Sequence, residues 1–193
     1  MKKAEILEYA QKQLMTGGYD ALNFATISKA LKTSRTNLHH HFGNKEGLAR
    51  EATLAFIENS LGFITMMVEK HPADFPGYFA EIDDMFLGNV AQTGQTSTCV
   101  CGQLIRGFEV PEALIILSQD FFKQQTDIHA QLIRDSQKSG TIIKDIDADY
   151  LADMSMIFLQ GMVHMLRASK NPKAYAKEMR GSFSKFLTPY MNN

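Results

Sequence analysis

The stretch from Asn23 to Glu46, NFATISKALKTSRTNLHHHFGNKE, constrains the fold more than any other part of the chain. Phe24, Ile27 and Leu31 recur in it at helical spacing, which predicts a helix with one apolar face over two turns. The residue before this helix is an asparagine, which favours the N-cap position. A second short helix follows after a tight turn, and a third begins at the end of the stretch.

The second helix of the stretch, from Arg35 to about Phe42, is capped by Ser34 and has only two apolar anchors. Leu38 and Phe42 lie four residues apart on one face, and the other positions carry hydrogen-bonding side chains. A helix anchored in this way can read base edges in the DNA major groove. Lys45 lies at the start of the next helix, where backbone N–H groups and a lysine can together bind a phosphate. The pattern indicates a helix-turn-helix, and a short polar surface helix is the alternative.

The overall composition is that of a folded protein with a substantial core. Of the 193 residues, 45% are hydrophobic and 21% are charged, which excludes a disordered chain. No apolar run approaches the roughly 18 residues that a membrane span needs. Glu5 and Glu8 lie where a secretory signal would have its apolar segment. We therefore expect a soluble cytoplasmic protein that has no membrane partner.

The small net charge of −1 hides an uneven distribution along the chain. Residues 1–50 contain eight Lys and Arg against four Asp and Glu, whereas residues 51–193 contain twelve against seventeen. The first segment is therefore net +4 and the second net −5. A basic N-terminal segment on an acidic body favours a polyanionic partner for that segment alone.

Helical spacing and helix breakers along the whole chain predict an all-α protein of about nine helices. The longest segment that resembles a strand is Thr141-Ile142-Ile143. Gly17-Gly18 ends the first predicted helix, and the segment 71–77, HPADFPG, ends the long fourth helix. The predicted helices cover residues 2–16, 24–31, 35–42, 45–70, 78–90, a short segment after 99, 111–138, 148–168 and 172–190.

Three motifs occur together in the first quarter of the chain: Gly-Tyr at 18–19, Leu-x-x-His-Phe at 38–42 and Lys-Glu-x-Leu at 45–48. With them, residues 4–52 resemble the N-terminal domain of TetR-family transcriptional repressors. Two positions depart from the family's pattern. Lys32 lies where a turn glycine is common, so the turn lacks the residue that adopts left-handed backbone most easily. His39 lies where the family has a tyrosine that contacts a phosphate, which implies a weaker and pH-sensitive contact.

The resemblance implies a helix-turn-helix DNA-binding domain over residues 1–47 and an effector-binding and dimerisation domain over residues 48–193. It also implies that a homodimer binds double-stranded DNA at a palindromic operator. We expect Arg35 to suit a guanine and Asn37 an adenine. The candidate contacts to bases or adjacent phosphates are Arg35, Thr36, Asn37 and His40, and the candidate DNA-backbone contacts are Asn23, Thr26, Ser34, His39 and Lys45.

The larger domain is rich in flexible and aromatic side chains, since most of the chain's eleven Met and thirteen Phe lie in it. A helical core explains each of these residues singly, whereas the set suits a pocket that adapts to an apolar guest. The resemblance implies that a small effector releases the protein from DNA, and that the last two helices, 148–168 and 172–190, form the dimer interface. The candidate pocket residues are Phe79, Met85, Phe86, Cys99, Phe121, Phe122, Met154, Phe158 and Met162.

Two other interpretations remain open. Cys99 and Cys101 lie in a segment that resembles the Cys-x-x-Gly-Asn-Leu segment of one branch of the family. They would be a redox or electrophile sensor if one thiol has a lowered pKa, and inert buried cysteines otherwise. An all-α ligand carrier or enzyme is the other alternative, although no catalytic arrangement occurs at recognisable spacing. His39, His40 and His41 project about 100° apart on a helix, so we expect neither a metal site there nor a cofactor.

Overall fold

The computed structural model of the chain describes residues 3–96 and 98–192, and these residues fold almost entirely into α-helices. The one β-type pairing within them is an isolated antiparallel bridge between Ile142 and Met191. The predicted all-α fold is confirmed. In chain order the helices are α1 (Lys3–Ala21), α2 (Phe24–Ala30), α3 (Arg35–Phe42), α4 (Lys45–Lys70), α5 (Phe75–Thr93), α6 (Val100–Arg106), α7 (Glu112–Ser139), α8 (Ala148–Ala168), α9 (Pro172–Met179) and α10 (Ser182–Leu187), followed by a 3₁₀ turn at Thr188–Tyr190.

Three helices differ in extent from the sequence prediction, and two of the differences involve a glycine. Helix α5 was predicted over 78–90 and spans Phe75–Thr93, with Asp74 as its N-cap. The backbone leaves helical geometry at Gly18, with φ 68° and ψ −159°, but a further turn of α1 extends to Ala21. The predicted helix 172–190 consists of α9 and α10, because Gly181 between them adopts left-handed backbone with φ 73°. Glycine has no Cβ and adopts positive φ without the steric cost that other residues incur.

The chain divides into two compact units. Unit 1 comprises Met1–Gly62 and Ser97–Lys123, and unit 2 comprises Phe63–Thr96 and Gln124–Asn193. The long helices α4 and α7 each contribute residues to both units. Over residues 3–96 and 98–192, no helix is both long enough and apolar enough to cross a membrane.

The core of unit 1 forms where the apolar faces of α1, α2, α3 and the first half of α4 meet. Leu38 and Phe42, the two predicted anchors of α3, are buried in it. Helix α6 packs against α1. Thr98 Oγ1 and Gln103 Nε2 both donate hydrogen bonds to the carbonyl oxygen of Met15, over 2.7 and 3.0 Å. The start of α6 is therefore tied directly to the first helix of the chain.

The core of unit 2 is built around aromatic rings from α5 and α10. Phe79 stacks on Phe183 with ring centroids 3.8 Å apart, and Phe75 makes an edge contact with Phe79 at 4.9 Å. The backbone N–H of Phe75 donates to Ser136 Oγ of α7 over 2.8 Å. Helix α9 packs along α5. Helix α5 therefore lies at the centre of this unit, with neighbours on several sides.

Candidate nucleic-acid interface

Side chains that cap α2 and α3 fix the turn between the two helices. Asn23 Oδ1 accepts hydrogen bonds from the backbone N–H groups of Ala25 and Thr26, over 2.7 and 3.4 Å. Ser34 Oγ accepts a hydrogen bond from the N–H of Asn37 over 3.0 Å. Each cap satisfies N–H groups that have no partner inside their own helix. Both N-caps predicted from the sequence are confirmed.

Lys32 occupies the left-handed position of this turn, with φ 52°. A Cβ in that conformation crowds the following carbonyl oxygen, at a cost of about 1 kcal/mol. The neighbouring backbone closes the turn, because the N–H of Thr33 donates to the carbonyl oxygen of Ser28 over 3.0 Å. As predicted, the chain makes this turn without glycine.

The surface of α3 opposite its two anchors is turned outward. The exposed side chains on this surface are Arg35, Thr36, His39 and His40. Asn37 is half-buried, and its Nδ2 donates a hydrogen bond to Thr33 Oγ1 over 3.1 Å. That bond uses one of the two N–H donors of the amide and leaves the other N–H and Oδ1, the two groups that a bidentate contact with an adenine needs.

His39 has one ring nitrogen already engaged within the protein. Its Nδ1 lies 2.8 Å from the carbonyl oxygen of Gly43, and its ring packs against Phe24 with centroids 4.7 Å apart. A carbonyl oxygen only accepts hydrogen bonds, so Nδ1 carries the proton and Nε2 of the neutral ring is an acceptor. A phosphate oxygen is also an acceptor. The outer nitrogen of His39 can therefore donate to a phosphate only when the ring is protonated.

The three consecutive histidines of α3 do not converge on one point. The rings of His40 and His41 meet edge to face, with centroids 5.6 Å apart. Among the residues that the structure describes, no three His, Cys, Asp or Glu side chains are grouped as metal ligands would be. All three histidines are exposed.

The joint between α3 and α4 depends on two glycines. Gly43 has φ 72° and ψ −70°, and the N–H of Asn44 donates to the carbonyl oxygen of Phe42 over 2.8 Å. Asn44 Oδ1 caps α4 by accepting from the N–H of Gly47 over 2.8 Å. A Cβ on Gly47 would lie 2.1 Å from the carbonyl oxygen of Phe42, which is far inside contact distance. The joint therefore sets the start of α4 tightly against the end of α3.

Lys45 lies in the first turn of α4, as the sequence predicts, and its ammonium group is held against an aromatic ring. Its Nζ is 4.3 Å from the ring centroid of Tyr19. Burial raises the pKa of Tyr19, and the nearby carboxylates of Glu46 and Asp20 raise it further. The tyrosine is therefore neutral, and the cation–π contact fixes the lysine beside the free N–H groups of the helix terminus.

The segment from α2 to the start of α4 contains no carboxylate. No Asp or Glu occurs between Asp20 and Glu46, and the exposed cations on this segment include Lys29, Lys32 and Arg35. Lys29 was not among the DNA-contact candidates chosen from the sequence. The absence of Asp and Glu between Asp20 and Glu46 is the sequence feature that could have identified it. A surface with this charge pattern attracts a polyanion along its whole length.

Unit 2 contains a narrow cavity with mainly aromatic walls. In this conformation it has room for about one water molecule. Most of its lining comes from the facing sides of α5 and α8, with one ring from α10. The lining residues are Phe79, Ile82, Asp83, Phe86, Phe158, Leu159, Met162 and Phe183.

The cavity brings together four of the nine pocket residues proposed from the sequence, namely Phe79, Phe86, Phe158 and Met162. Met85 faces an open surface groove instead, and Met154 does not line the cavity. The remaining three residues, Cys99, Phe121 and Phe122, belong to unit 1. Asp83 was not proposed, and nothing in the spacing of apolar residues would have identified it.

The two cysteines of the chain form a pair at the start of α6. Cys99 is half-buried and its Sγ accepts a hydrogen bond from the N–H of Gly102 over 3.5 Å. The Cys101 thiol donates to the Cys99 sulfur, which is the main reason that the pKa of Cys99 is lowered. The same bond, followed by burial, raises the pKa of Cys101. Cys99 is therefore the more nucleophilic thiol of the pair.

Comparison with known proteins gives a family for the N-terminal segment. Residues 6–52 match the family described as bacterial regulatory proteins, tetR family. The chain is 24% identical over 174 residues to the HTH-type transcriptional repressor AcnR of Corynebacterium jeikeium, a match that covers 86% of this chain and 81% of the repressor.

Solved structures share the fold over nearly the whole chain. A TetR-family transcriptional regulator from Agrobacterium tumefaciens superposes with a TM-score of 0.83 at 20% identity, covering 98% of this chain and 97% of that one. A cysteine mutant of the TetR-family regulator CifR, in complex with a 26-bp double-stranded operator DNA, has a TM-score of 0.81 at 16% identity with the same coverage. The match of residues 6–52 agrees with the family resemblance predicted for this segment, and the structural likeness shows that the chain has the predicted fold.

Proposed function

We propose that this chain, a TetR-family transcriptional regulator, acts as a homodimeric repressor that binds a palindromic operator and is released by a small apolar effector. The observation that carries the proposal is the exposed face of α2 and α3, which has no carboxylate between residues 21 and 45. In this proposal residues 1–47 form the DNA-binding domain and residues 48–193 form the effector-binding and dimerisation domain.

The proposed contacts follow from which side chains of the interface are exposed. Arg35, Thr36 and His40 extend from the outward side of α3 and would approach base edges or adjacent phosphates. Asn37 would join them through its second N–H and Oδ1, while the first N–H stays bonded to Thr33. The proposed contacts to the DNA backbone are Asn23, Thr26, Ser34, His39 and Lys45, all of which lie at helix termini or on the exposed side of α3.

A dimer is supported by an apolar stripe along α8. Tyr150, Ile157 and Met165 are 53%, 63% and 54% exposed and recur along one side of the helix. Gly161 lies between the last two, and a Cβ added to it would have no neighbour within 4 Å. A glycine inside an exposed apolar stripe permits close approach of a second helix. Two helix-turn-helix modules on one palindrome would also supply the contacts that a single module lacks.

The test of the DNA contacts compares Arg35→Ala and Lys45→Ala in their binding to the operator and to random DNA. The operator is first selected from a random DNA pool, and affinities are then measured by fluorescence anisotropy at several salt concentrations. Arg35→Ala should weaken binding to the operator by about 1–3 kcal/mol and spare random DNA. Lys45→Ala should weaken both and reduce the salt slope by about one ion.

The matched control for charge is Lys144→Ala, which removes an exposed lysine from unit 2. It should leave operator affinity and the salt slope unchanged. If Arg35→Ala reduces binding to random DNA as much as to the operator, the base-reading role of α3 is refuted. If the wild-type protein selects no sequence from the pool, the proposed function itself is refuted.

The aromatic cavity of unit 2 supports the release of DNA by an effector. A ligand that fits only an expanded cavity would favour a conformation other than the one described here. Coupling of about 1–3 kcal/mol between ligand and DNA would change operator affinity about 5–150-fold. A library of small apolar compounds, screened for loss of anisotropy of a labelled operator, tests this part. Phe158→Ala should abolish the response to any compound that acts through the cavity.

The cysteine pair supports a second candidate mechanism of release. Cys99 is the nucleophilic thiol and caps α6, which is tied to α1 through Thr98, Gln103 and the carbonyl oxygen of Met15. Alkylation of Cys99 would remove that cap and disturb the packing of α6 on α1 inside unit 1.

Treatment with an α,β-unsaturated carbonyl compound tests this mechanism directly. The Cys99 sulfur would form a bond to the β-carbon, the carbon–carbon π bond would break, and the α-carbon would take up a proton. DNA release by the compound should be lost in Cys99→Ser and retained in Cys101→Ser at a reduced rate, because Cys101 only assists the reactive thiol. Release that persists in Cys99→Ser would exclude a role for this site.

A further inference from the structure

The cavity of unit 2 combines aromatic walls with a single carboxylate. Phenylalanines of α5, α8 and α10 form four of its eight lining residues, and Asp83 is the one charged residue among the eight. Phe158 meets Phe183 edge to face with centroids 5.4 Å apart, and Phe183 stacks on Phe79 at 3.8 Å. A carboxylate in such surroundings is unusual, since burying an unpaired charge among apolar groups is costly.

The carboxylate of Asp83 has little compensation from its own protein. Its Oδ2 accepts one hydrogen bond, from the backbone N–H of Gly181 over 2.9 Å. Arg180, a cation that acts on Asp83 electrostatically, makes its salt bridge with Asp84 over 2.8 Å. Burial is the main cause that raises the pKa of Asp83, and the neighbouring charge of Asp84 adds to it, while Gly181 and Arg180 act in the opposite direction. A cation supplied by a guest would therefore stabilise the carboxylate further.

The phenyl rings that line the cavity together with Asp83 favour the same kind of guest. The face of a phenyl ring carries negative charge density and attracts cations within about 6 Å of its centroid. The phenyl rings and the carboxylate would both attract the positive charge of a cationic guest. A neutral apolar molecule would gain binding free energy only from burial. An anionic guest would be repelled by both.

We propose that this cavity binds an organic ammonium ion, with the positive charge at Asp83 and the apolar body among Phe79, Phe158 and Phe183. The proposal names the chemical class of the effector and so rests on the proposed function. Because the cavity has room for about one water molecule, the guest must separate the rings that now fill it. Binding would therefore move α10 relative to α5, since Phe183 of α10 stacks on Phe79 of α5.

Asp83 also connects the cavity to the joint between α9 and α10. Gly181 is the left-handed residue of that joint, and its N–H is held by the Asp83 carboxylate. An ammonium group that binds the carboxylate competes with this hydrogen bond. The guest would thus act on the joint directly as well as through the rings.

The experiment compares hexylammonium with hexanol, which has nearly the same size and no charge, by titration calorimetry on the full-length protein. The wild type should bind hexylammonium at least about tenfold more tightly than hexanol. Asp83→Asn keeps an oxygen that can accept from Gly181, and it should abolish this preference. Asp153→Asn is the matched control, because it removes an exposed carboxylate of α8 that does not line the cavity, and it should retain the preference.

Equal affinity of the wild type for both probes, or a preference that survives in Asp83→Asn, would overturn the proposal. The comparison on the wild type decides this even if Asp83→Asn does not fold. The anisotropy of a labelled operator separates this proposal from the proposed function. Binding of hexylammonium through Asp83 without DNA release would refute the effector role and leave the cation site intact. Release of DNA by neutral compounds alone would refute the cation site and leave the proposed function intact.

Discussion

Lowering the pH should destabilise unit 2 through a single buried histidine. His129 is 1% exposed, and its Nε2 lies 3.0 Å from the hydroxyl of Tyr78. The rings of Phe75 and Phe79 are 5.9 and 5.1 Å away, and Nδ1 has no hydrogen-bond partner. Burial lowers the pKa of His129 from 6.5 to about 3. The folded protein therefore holds this histidine in its neutral form.

The size of the effect follows from the two pKa values. Between about pH 3 and pH 6.5 the unfolded chain binds a proton at this histidine and the folded chain does not, so stability falls as the pH is lowered. The contribution is complete above the unfolded pKa and declines below it. At about pH 5 the free energy of unfolding should be lower by about 2 kcal/mol than at about pH 7.

Urea denaturation of the full-length protein at these two pH values, at one fixed protein concentration, measures this decrease in the free energy of unfolding. The double variant His129→Phe with Tyr78→Phe removes the histidine without leaving the tyrosine hydroxyl buried alone. The wild type should lose about 2 kcal/mol more than this variant, a comparison in which all other titrating groups cancel. His41→Gln, which removes an exposed histidine, should behave as the wild type does. An equal loss in the wild type and the double variant would show that His129 does not carry the pH dependence.

Three further predictions follow from backbone and side-chain geometry. Lys32→Gly should raise the free energy of unfolding by up to about 1 kcal/mol, because glycine adopts φ 52° without strain; thermal unfolding that shows no gain would contradict this. Gly161→Arg should weaken the proposed dimer more than about tenfold in sedimentation equilibrium, whereas Gly62→Arg, at another exposed helical glycine, should not. His39→Tyr should raise operator affinity, because a tyrosine hydroxyl donates to a phosphate whereas the outer nitrogen of the neutral His39 ring only accepts. His41→Gln should leave operator affinity unchanged; an affinity of His39→Tyr no higher than that of the wild type would exclude the contact.

Features that depend on nearby residues were predictable from the sequence. The caps at Asn23 and Ser34 and the two buried anchors of α3 follow from spacing within a few residues, and the structure contains all of them. The left-handed turn at Lys32 was expected from the family resemblance, because a turn glycine is common at that position. Local hydrogen bonds and helical periodicity determine these features, and both can be read directly from residue order.

Features that depend on distant parts of the chain were not predictable. The break between α9 and α10 is stabilised by Asp83, whose carboxylate accepts from Gly181 at a separation of 98 residues. A lone glycine in a helical pattern does not indicate which distant residue will accept a hydrogen bond from it. Four of the nine pocket candidates line one cavity and the others do not, for a related reason: composition shows that Phe121 is apolar but not which unit buries it. The domain boundary proposed at residue 47 and the individual DNA contacts stay predictions.

The absence of carboxylates between residues 21 and 45 has a consequence for how the protein would search a genome. A face with only cations is attracted to every stretch of DNA, so most copies would be bound to non-specific sites and slide along them at any moment. Competing sites in a genome number about 10⁶–10⁹, and the occupancy of the operator then depends on the ratio of the two affinities. An effector that weakens both affinities equally would leave that ratio unchanged. Release in a cell would therefore require an effector that weakens operator binding more than non-specific binding. An effector that disrupts the alignment of the two α3 helices would do so, because non-specific binding depends on their charge.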